Sequence, residues 1–245
     1  MKLAKLNKHK RDRYVKLHKE YNKNHIYLIR GKSHIELGYK SVTTWLKQFF
    51  DEFNADEIIE KYYEKWQNAE HKDYHGKSRD AIKAMWDDKR DSAAEAGTHM
   101  HAQFENFCNK QAFERTAEFN NFVHWLIDSK LVPYRTEMTI FHPKLKLIGN
   151  VDLLAKTPDG KFVIVDYKRS EKPSNVSYGR MTKGGLNLPD TKIVKHALQL
   201  SIYKYIYETM YDIKIDKLYN LYIKDDYIEF VEQKEIDLSS IFKSI

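Results

Sequence analysis

Residues 145–168, LKLIGNVDLLAKTPDGKFVIVDYK, set two aspartates and a lysine into apolar runs that have no packing use for charge. Thr157-Pro158-Asp159-Gly160 separates the runs, and proline at the second turn position with glycine at the fourth predicts a type I turn, hence a β-hairpin. Strand alternation puts Phe162, Ile164, Asp166 and Lys168 on one face of the second arm, and Val163, Val165 and Tyr167 on the other. In the first arm Leu145, Leu147, Val151 and Leu153 share a face opposite Ile148, Asn150, Asp152 and Leu154. One hairpin can therefore bring Asp152 close to Asp166. Carboxylates a few ångströms apart raise each other's pKa unless a cation lies between them, and as hard oxygen ligands they suit Mg²⁺ or Mn²⁺, one or two ions. Lys168 beside them would orient a nucleophile or neutralise charge developing on a phosphorus centre. A structural Asp166–Lys168 ion pair, with Asp152 opening a turn, is the alternative reading of the same residues.

Two further sets of residues could join that chemistry. His101 and Glu105 stand four apart, one turn along the same helical face, where imidazole and carboxylate can share an ion or a bridging water; an exposed His–Glu pair is the alternative. Gln199 and Tyr203 likewise stand one turn apart, on a face distinct from Leu198, Ile202 and Ile206.

The elements that must carry these residues follow from periodicity. Val42, Trp45, Leu46, Phe49, Phe50 and Phe53 predict one amphipathic helix, and Ala55, Ile58, Ile59, Tyr62, Tyr63 and Trp66 a second after Asn54, with the aromatics read as packing. Residues 79–131 read as further helices, stopped at Pro133; 135–142 as a strand; 195–211 as a helix; and 218–223 with 227–231 as a final hairpin. The polar stretch 169–195, with Arg180 and Lys183 among its cations, reads as a lid, binding loop or disordered segment. Gly31-Lys32-Ser33 and Gly76-Lys77-Ser78 lack the earlier glycine of a phosphate loop, with Ile26 and His71 standing there, which excludes an ATPase motor on these motifs.

Gly149-x-Val151-Asp152 followed by Asp166-Tyr167-Lys168 resembles the core of the PD-(D/E)XK nuclease superfamily, with Asn-Val-Asp in place of the nominal Pro-Asp. Gly97-Thr98-x-x-His101-x-x-x-Glu105 upstream, Gln199-x-x-x-Tyr203 downstream and Leu188-Pro189-Asp190 between resemble the RecB-like exonuclease branch, including viral and mitochondrial members. The resemblance implies an α+β fold with a restriction-endonuclease-like core, a central mixed sheet flanked by helices, behind an α-helical N-terminal region. It implies metal binding by His101, Asp152, Asp166 and the Tyr167 carbonyl, with Glu105 in support, and catalysis by Asp152, Asp166 and Lys168. Glu137 sits where relatives place another acid and ranks below the aspartates; Thr98, Gln199, Tyr203, Arg180 and Lys183 are the expected DNA contacts. The activity implied is that of a Mg²⁺- or Mn²⁺-dependent single-strand DNA exonuclease of replication, recombination or repair, acting on DNA with a free end, alone or with proteins of those pathways. An endonuclease acting on RNA or branched DNA, and a non-catalytic DNA-binding module of the same fold, are the alternatives.

Composition bounds the rest. A chain of 245 residues is large enough for one substantial core, and its single cysteine, Cys108, excludes a disulfide framework and a cysteine-held cluster. No apolar run reaches the ~20 residues of a membrane span, and the first residues lack a signal-peptide core, so a soluble intracellular protein is expected. The net charge of +7 is concentrated in residues 1–30, where ten Lys/Arg face only Asp12 and Glu20. These residues are expected to form a basic arm that contacts phosphates or remains a solvated tail, followed by a helical region at 31–91 packing on the core and the nuclease core at 92–245.

Overall fold

A computed structural model describes residues 2–18, 26–177 and 179–242. The strands are β1 (Val15–His18), β2 (Ile26–Ile29), β3 (Lys32–Ser33), β4 (Lys40–Ser41), β5 (Val132–His142), β6 (Leu147–Lys156), β7 (Phe162–Lys168), β8 (Ile215–Lys224) and β9 (Tyr227–Gln233). The helices are α1 (Leu3–Leu6), α2 (Val42–Leu46), α3 (Ala55–Asn68), α4 (Arg79–Cys108), α5 (Ala117–Ser129), α6 (Lys192–Met210) and α7 (Ser239–Phe242). They fall into two compact units, Met1–Asp51 with Met100–Ile245, and Glu52–His99. These boundaries differ from those expected at 30 and 91, because Val42, Trp45, Leu46, Phe49 and Phe50 are built into the core of the larger unit.

The larger unit is organised by a six-stranded mixed sheet in which β6, β7, β8 and β9 are successive neighbours and β5 pairs with β6. The expected hairpin is present, and its turn is closed by the Gly160 N–H donating to the Thr157 carbonyl at 2.9 Å with Gly160 at φ 85°. β6 and β7 pair only from Leu153/Val165 to Lys156/Phe162, after which β7 continues against β8 in parallel through Lys168. The two arms thus part at Asp152 and Asp166.

Alternation holds along β7: Ile164 belongs to one hydrophobic layer, with Phe162 packed against it, and Val163, Val165 and Tyr167 belong to the other. In β6 it breaks. Leu147, Val151 and Leu154 pack with α2 and α6, whereas Leu153 and Ala155 pack with Met100 and Phe104 of α4 and with α5. The interruption lies opposite Glu137, whose φ of 46° is left-handed; that local reversal of β5 is the physical reason the simple two-residue period fails there.

The helix predicted from Val42 to Phe53 is shorter than its pattern, with α2 followed by a 3₁₀ turn at Lys47–Phe49. Tertiary hydrogen bonds replace the helical ladder: the Phe49 carbonyl accepts from Lys183 N–H at 2.8 Å, and Asp51 N–H donates to the Asp190 carboxylate at 3.0 Å. These bonds pin part of the loop before α6, whose Leu186 is buried in the core. In the unit Glu52–His99, Ile59 and Ile82 are the buried aliphatics, and Trp66 packs on Tyr74 at 4.5 Å and on Trp86 at 6.0 Å, the packing role expected for these aromatics.

The basic N-terminal segment is folded where it is described. β1, β2 and β3 form an antiparallel sheet whose Val15, Tyr27 and Ile29 pack on Phe141 of β5 and Ile148 of β6. Ahead of it, Asp12 binds the buried Arg135 guanidinium at 2.8 Å. Asp12→Ala would leave that cation buried without its anion, and we expect a loss of about 3 kcal/mol in urea unfolding. Lys16→Ala, on the exposed face of β1, should change stability by less than about 0.5 kcal/mol. Equal effects of the two would refute the anchoring role.

Candidate metal centre and its supporting residues

The parting of β6 from β7 leaves backbone groups without ladder partners, and one of them is used by the site itself. Tyr167 N–H donates to Asp152 Oδ2 at 2.7 Å, so a side chain stands in for the missing strand carbonyl and fixes the carboxylate. Its other oxygen, Oδ1, lies 3.6 Å from His101 Nδ1, and that nitrogen is 3.7 Å from Glu137 Oε1. His101 comes from the buried side of α4, edge-on to the Tyr167 ring at 5.6 Å.

Glu137 and Asp152 lie opposite each other in the β5–β6 ladder, between the pairs Thr136↔Leu153 and Met138↔Val151. Asn150 steadies this side of the site: its amide donates to Glu137 Oε2 at 2.5 Å, and its carbonyl accepts from Thr139 Oγ1 at 2.7 Å. One ligand atom each from His101, Glu137 and Asp152 lie within 4.8 Å of one another. An imidazole nitrogen and two carboxylate oxygens at this spacing form a donor set that fits a divalent cation.

Asp166 is close by but differently engaged. Its carboxylate receives Lys168 Nζ at 2.7 Å, Gln199 Nε2 at 3.1 Å and Asn220 Nδ2 at 2.8 Å. Gln199 also accepts from Lys168 Nζ at 3.4 Å and donates to Tyr203 OH at 3.2 Å. The glutamine therefore ties the second aspartate, the lysine and the tyrosine into one network. Gln199 and Tyr203 are buried and use their polar groups within the protein, so in this structure they support the acidic site from beneath.

The remaining sequence-selected residues are spread out. Glu105 is half-buried one turn beyond His101, outside the converging trio, and its carbonyl accepts from the Asn109 side chain. Thr98 belongs to the unit Glu52–His99, is exposed, and donates to the Ala94 carbonyl at 3.0 Å. Arg180 is exposed on the loop before α6, whereas Lys183 is paired with Asp51 at 2.6 Å.

Glu137, Asn150 and Asn220 carry more of the site than their sequence signals conveyed. Asn220 could have been flagged as the one amide within the apolar run Leu218–Ile223; the cross-strand pairing of Glu137 with Asp152 required the register. His196, one turn before Gln199, accompanies them, its Nδ1 within 2.9 Å of Tyr222 OH. Burial, then the Lys168 ammonium, pushes His196 down to about 4.

The electrostatics follow from burial and like charge. Burial alone would hold His101 down, but Asp152 and Glu137, with Asp166 behind them, carry it up to about 9. Asp152 is pushed up to about 7, first by burial and then by Asp166 and Glu137, against the pull of His101 and Lys168. Burial also opposes the Lys168 ammonium, yet Asp166 and Asp152 outweigh it and raise its pKa, so it remains a cation.

Gly149 explains how the two halves of the site fit. A Cβ there would meet the Tyr203 ring at 2.6 Å, so only glycine lets the Tyr203 of α6 lie against β6. We expect Gly149→Ala to cost about 1–3 kcal/mol through overpacking, more than Tyr203→Phe, which deletes a hydrogen-bond partner worth about 1 kcal/mol. Thermal unfolding of both variants checks the order, and a fully stable Gly149→Ala would refute the close-approach account.

A second expectation concerns protons. Because His101 rises from 6.5 to about 9 and Asp152 from 3.8 to about 7, the metal-free fold holds more protons than the unfolded chain across roughly pH 4–9. Their stabilising contribution therefore falls as pH rises through that window. Metal binding needs the deprotonated donors, so Mn²⁺ affinity should climb from pH 6 to 9 with release of roughly one to two protons near neutrality. Calorimetry in buffers of different ionisation enthalpy measures this, and pH-independent affinity would contradict it.

The sequence model of the PD-(D/E)XK nuclease superfamily matches residues 42–237. No curated protein matches the chain. A solved structure titled "Crystal structure of SSO0001" is similar at 16% identity, covering 84% of this chain and 71% of that one with a TM-score of 0.34.

Proposed function

The chain belongs to the PD-(D/E)XK nuclease superfamily, and from that premise we propose that it is a divalent-metal-dependent deoxyribonuclease of the RecB-like type, degrading single-stranded DNA from a free end. The observation that carries the metal requirement is the convergence of His101, Glu137 and Asp152, with the Asp166–Lys168 pair alongside. His101, Glu137 and Asp152 would hold the cation, with Asp166 and the Tyr167 carbonyl completing the set that the family resemblance implies. Bound there, a divalent cation supplies the Lewis acidity that phosphodiester hydrolysis needs. An imidazole among the donors favours Mn²⁺ over Mg²⁺ relative to an all-oxygen site.

In this reading the protein's own groups divide the remaining work. Lys168 keeps its proton because two aspartates outweigh its burial, so it acts as a hydrogen-bond donor and positive charge rather than as a base. It orients the attacking water and offsets negative charge developing on the phosphate as the water oxygen bonds to phosphorus and gives its proton to solvent, while the bond to the leaving sugar oxygen breaks and that oxygen takes up a proton from solvent. Gln199 and Asn220 hold Asp166, and through it the lysine, while Tyr167 N–H holds Asp152. The RecB-like exonuclease assignment rests on His101 and on the Gln199–Tyr203 pair, and a role in replication, recombination or repair follows from it.

Asp152→Asn and Asp166→Asn should each lose most metal-dependent cleavage while remaining folded, because the change removes charge and little volume. Lys168→Ala should reduce cleavage by about 100–1,000-fold and leave Mn²⁺ affinity intact. Unchanged calorimetric Mn²⁺ binding in Asp152→Asn would refute the metal-site assignment.

With end-labelled substrates and Mn²⁺ or Mg²⁺, linear single strands should be degraded progressively and closed single-stranded circles should resist at the same enzyme concentration. Rapid cutting of circles would make the protein an endonuclease. Faster cleavage of RNA than of DNA of the same sequence would move the assignment to a ribonuclease.

A further inference from the structure

The N-terminal segment has two chemically different sides. Val15, Tyr27 and Ile29 face β5 and β6, where they pack on Phe141 and Ile148. Lys16, between Val15 and Leu17 and paired with Leu28, is exposed on the other face. Described residues 2–18 and 26–41 carry ten Lys/Arg against Asp12 and Glu36, and Asp12 is already committed to Arg135. The adjoining β5–β6 turn adds exposed Lys144 and Lys146, and Lys40 N–H donates to the Lys146 carbonyl at 2.9 Å, which joins the turn to the segment.

Several of these cations are braced by aromatic rings. The Arg13 and Arg30 guanidiniums lie over Tyr14 at 4.7 and 5.0 Å, and the Lys146 ammonium lies over Tyr39 at 4.7 Å. Tyr39 in turn contacts Phe141, whose ring carries Arg11 at 4.4 Å. Cations held this way sacrifice less side-chain freedom when they meet an anion than solvated lysines do. Among the described residues no ion pair engages Arg13, Lys16, Arg30 or Lys146, which leaves their charge to an external polyanion.

The surface is also tied to the acidic centre. Ile148, on which the segment packs, is four residues before Asp152 on β6, about 13 Å of extended strand. On the packed face burial raises the Tyr27 pKa, with the charges of Glu137 and Asp152 adding to it.

We propose that this braced basic surface, formed by Arg13, Lys16, Arg30 and Lys146, is the track on which the nucleic-acid backbone runs to the metal centre. The inference rests on the nuclease reading and specifies where the substrate lies. Its occupant is a single-stranded nucleic acid, engaged through phosphates without base readout.

The test is fluorescence anisotropy of a labelled single-stranded oligonucleotide over a salt series without divalent metal, comparing wild type with a variant combining Arg13→Gln, Lys16→Gln, Arg30→Gln and Lys146→Gln. A control variant combines Lys61→Gln, Lys65→Gln, Lys72→Gln and Lys89→Gln, exposed lysines of the acid-rich unit Glu52–His99. If the four cations touch phosphates, the log–log salt slope should flatten by about 2–3 units in the first variant and stay unchanged in the control. Circular dichroism and calorimetric Mn²⁺ affinity should match wild type in both, and the KM for oligonucleotide should rise in the first alone.

An unchanged slope, or equal flattening in the two variants, overturns the track. Binding of polyglutamate as tightly as the oligonucleotide would assign the surface to an acidic protein and also overturns it. Absence of metal-dependent cleavage by wild type at saturating oligonucleotide and low salt would overturn the nuclease reading itself, an outcome distinct from a failure of the track alone.

Discussion

The structure of the larger unit turns on the cost of holding Glu137, Asp152 and Asp166 near one another inside a protein. Carboxylates drawn together away from water repel one another unless each is given a partner. Here each has a compensating partner of a different kind: His101 beside Glu137 and Asp152, the Tyr167 N–H on Asp152, and Lys168 with two amides on Asp166. The compensation is incomplete at the first pair, where burial and like charge keep Asp152 high even with an imidazolium beside it. A divalent cation bound there would resolve that residual repulsion better than a proton does, which would link the folding problem of the strands to the chemistry proposed for them.

The backbone prepares this arrangement. A continuous β6–β7 ladder would have carried Asp152 and Asp166 along as an ordinary cross-strand pair. By ending at Leu153/Val165, the ladder frees the Tyr167 N–H for Asp152 and lets β7 carry Asp166 and Lys168 onward beside Asn220 of β8. Glu137 is delivered from the other side by a left-handed residue in β5, a conformation a glutamate rarely adopts without tertiary support. α6 then locks the assembly, because the absent side chain of Gly149 admits Tyr203 and brings Gln199 to the Asp166–Lys168 pair. Motif residues some fifty positions apart thereby share one steric explanation.

The N-terminal segment joins this design through packing as well as charge. Asp12 neutralises Arg135, Arg11 lies on Phe141, and Tyr27 closes the hydrophobic patch that includes Ile148. Part of the positive charge thus holds the segment in place, and the exposed remainder forms a surface of fixed geometry. A net charge of +7 belongs to the composition as a whole, and only the division of labour among these cations says which of them hold the segment in place and which are exposed.

The family resemblance alone marked His101 as a ligand; by itself the sequence determined the hairpin, its turn, the β7 faces and the final strands, and singled out Asp152, Asp166 and Lys168 as charges set into apolar strands. Those features depend on local periodicity, on turn stereochemistry and on the scarcity of charge in apolar strands, all of which act over a few residues. Tertiary structure alone decided the rest. Glu137 came to lie opposite Asp152 because β5 and β6 share a register that no local pattern encodes. Gln199 and Tyr203 turned inward because α6 is covered on more than one side, a property of neighbouring layers rather than of the helix's own period. The amphipathic run after Val42 stopped early because Phe49 and Asp51 found hydrogen-bond partners in the loop before α6, some 130 residues away. In each case the deciding energy comes from contacts between segments distant in sequence, and a one-dimensional pattern contains the groups that make those contacts without containing the geometry that pairs them.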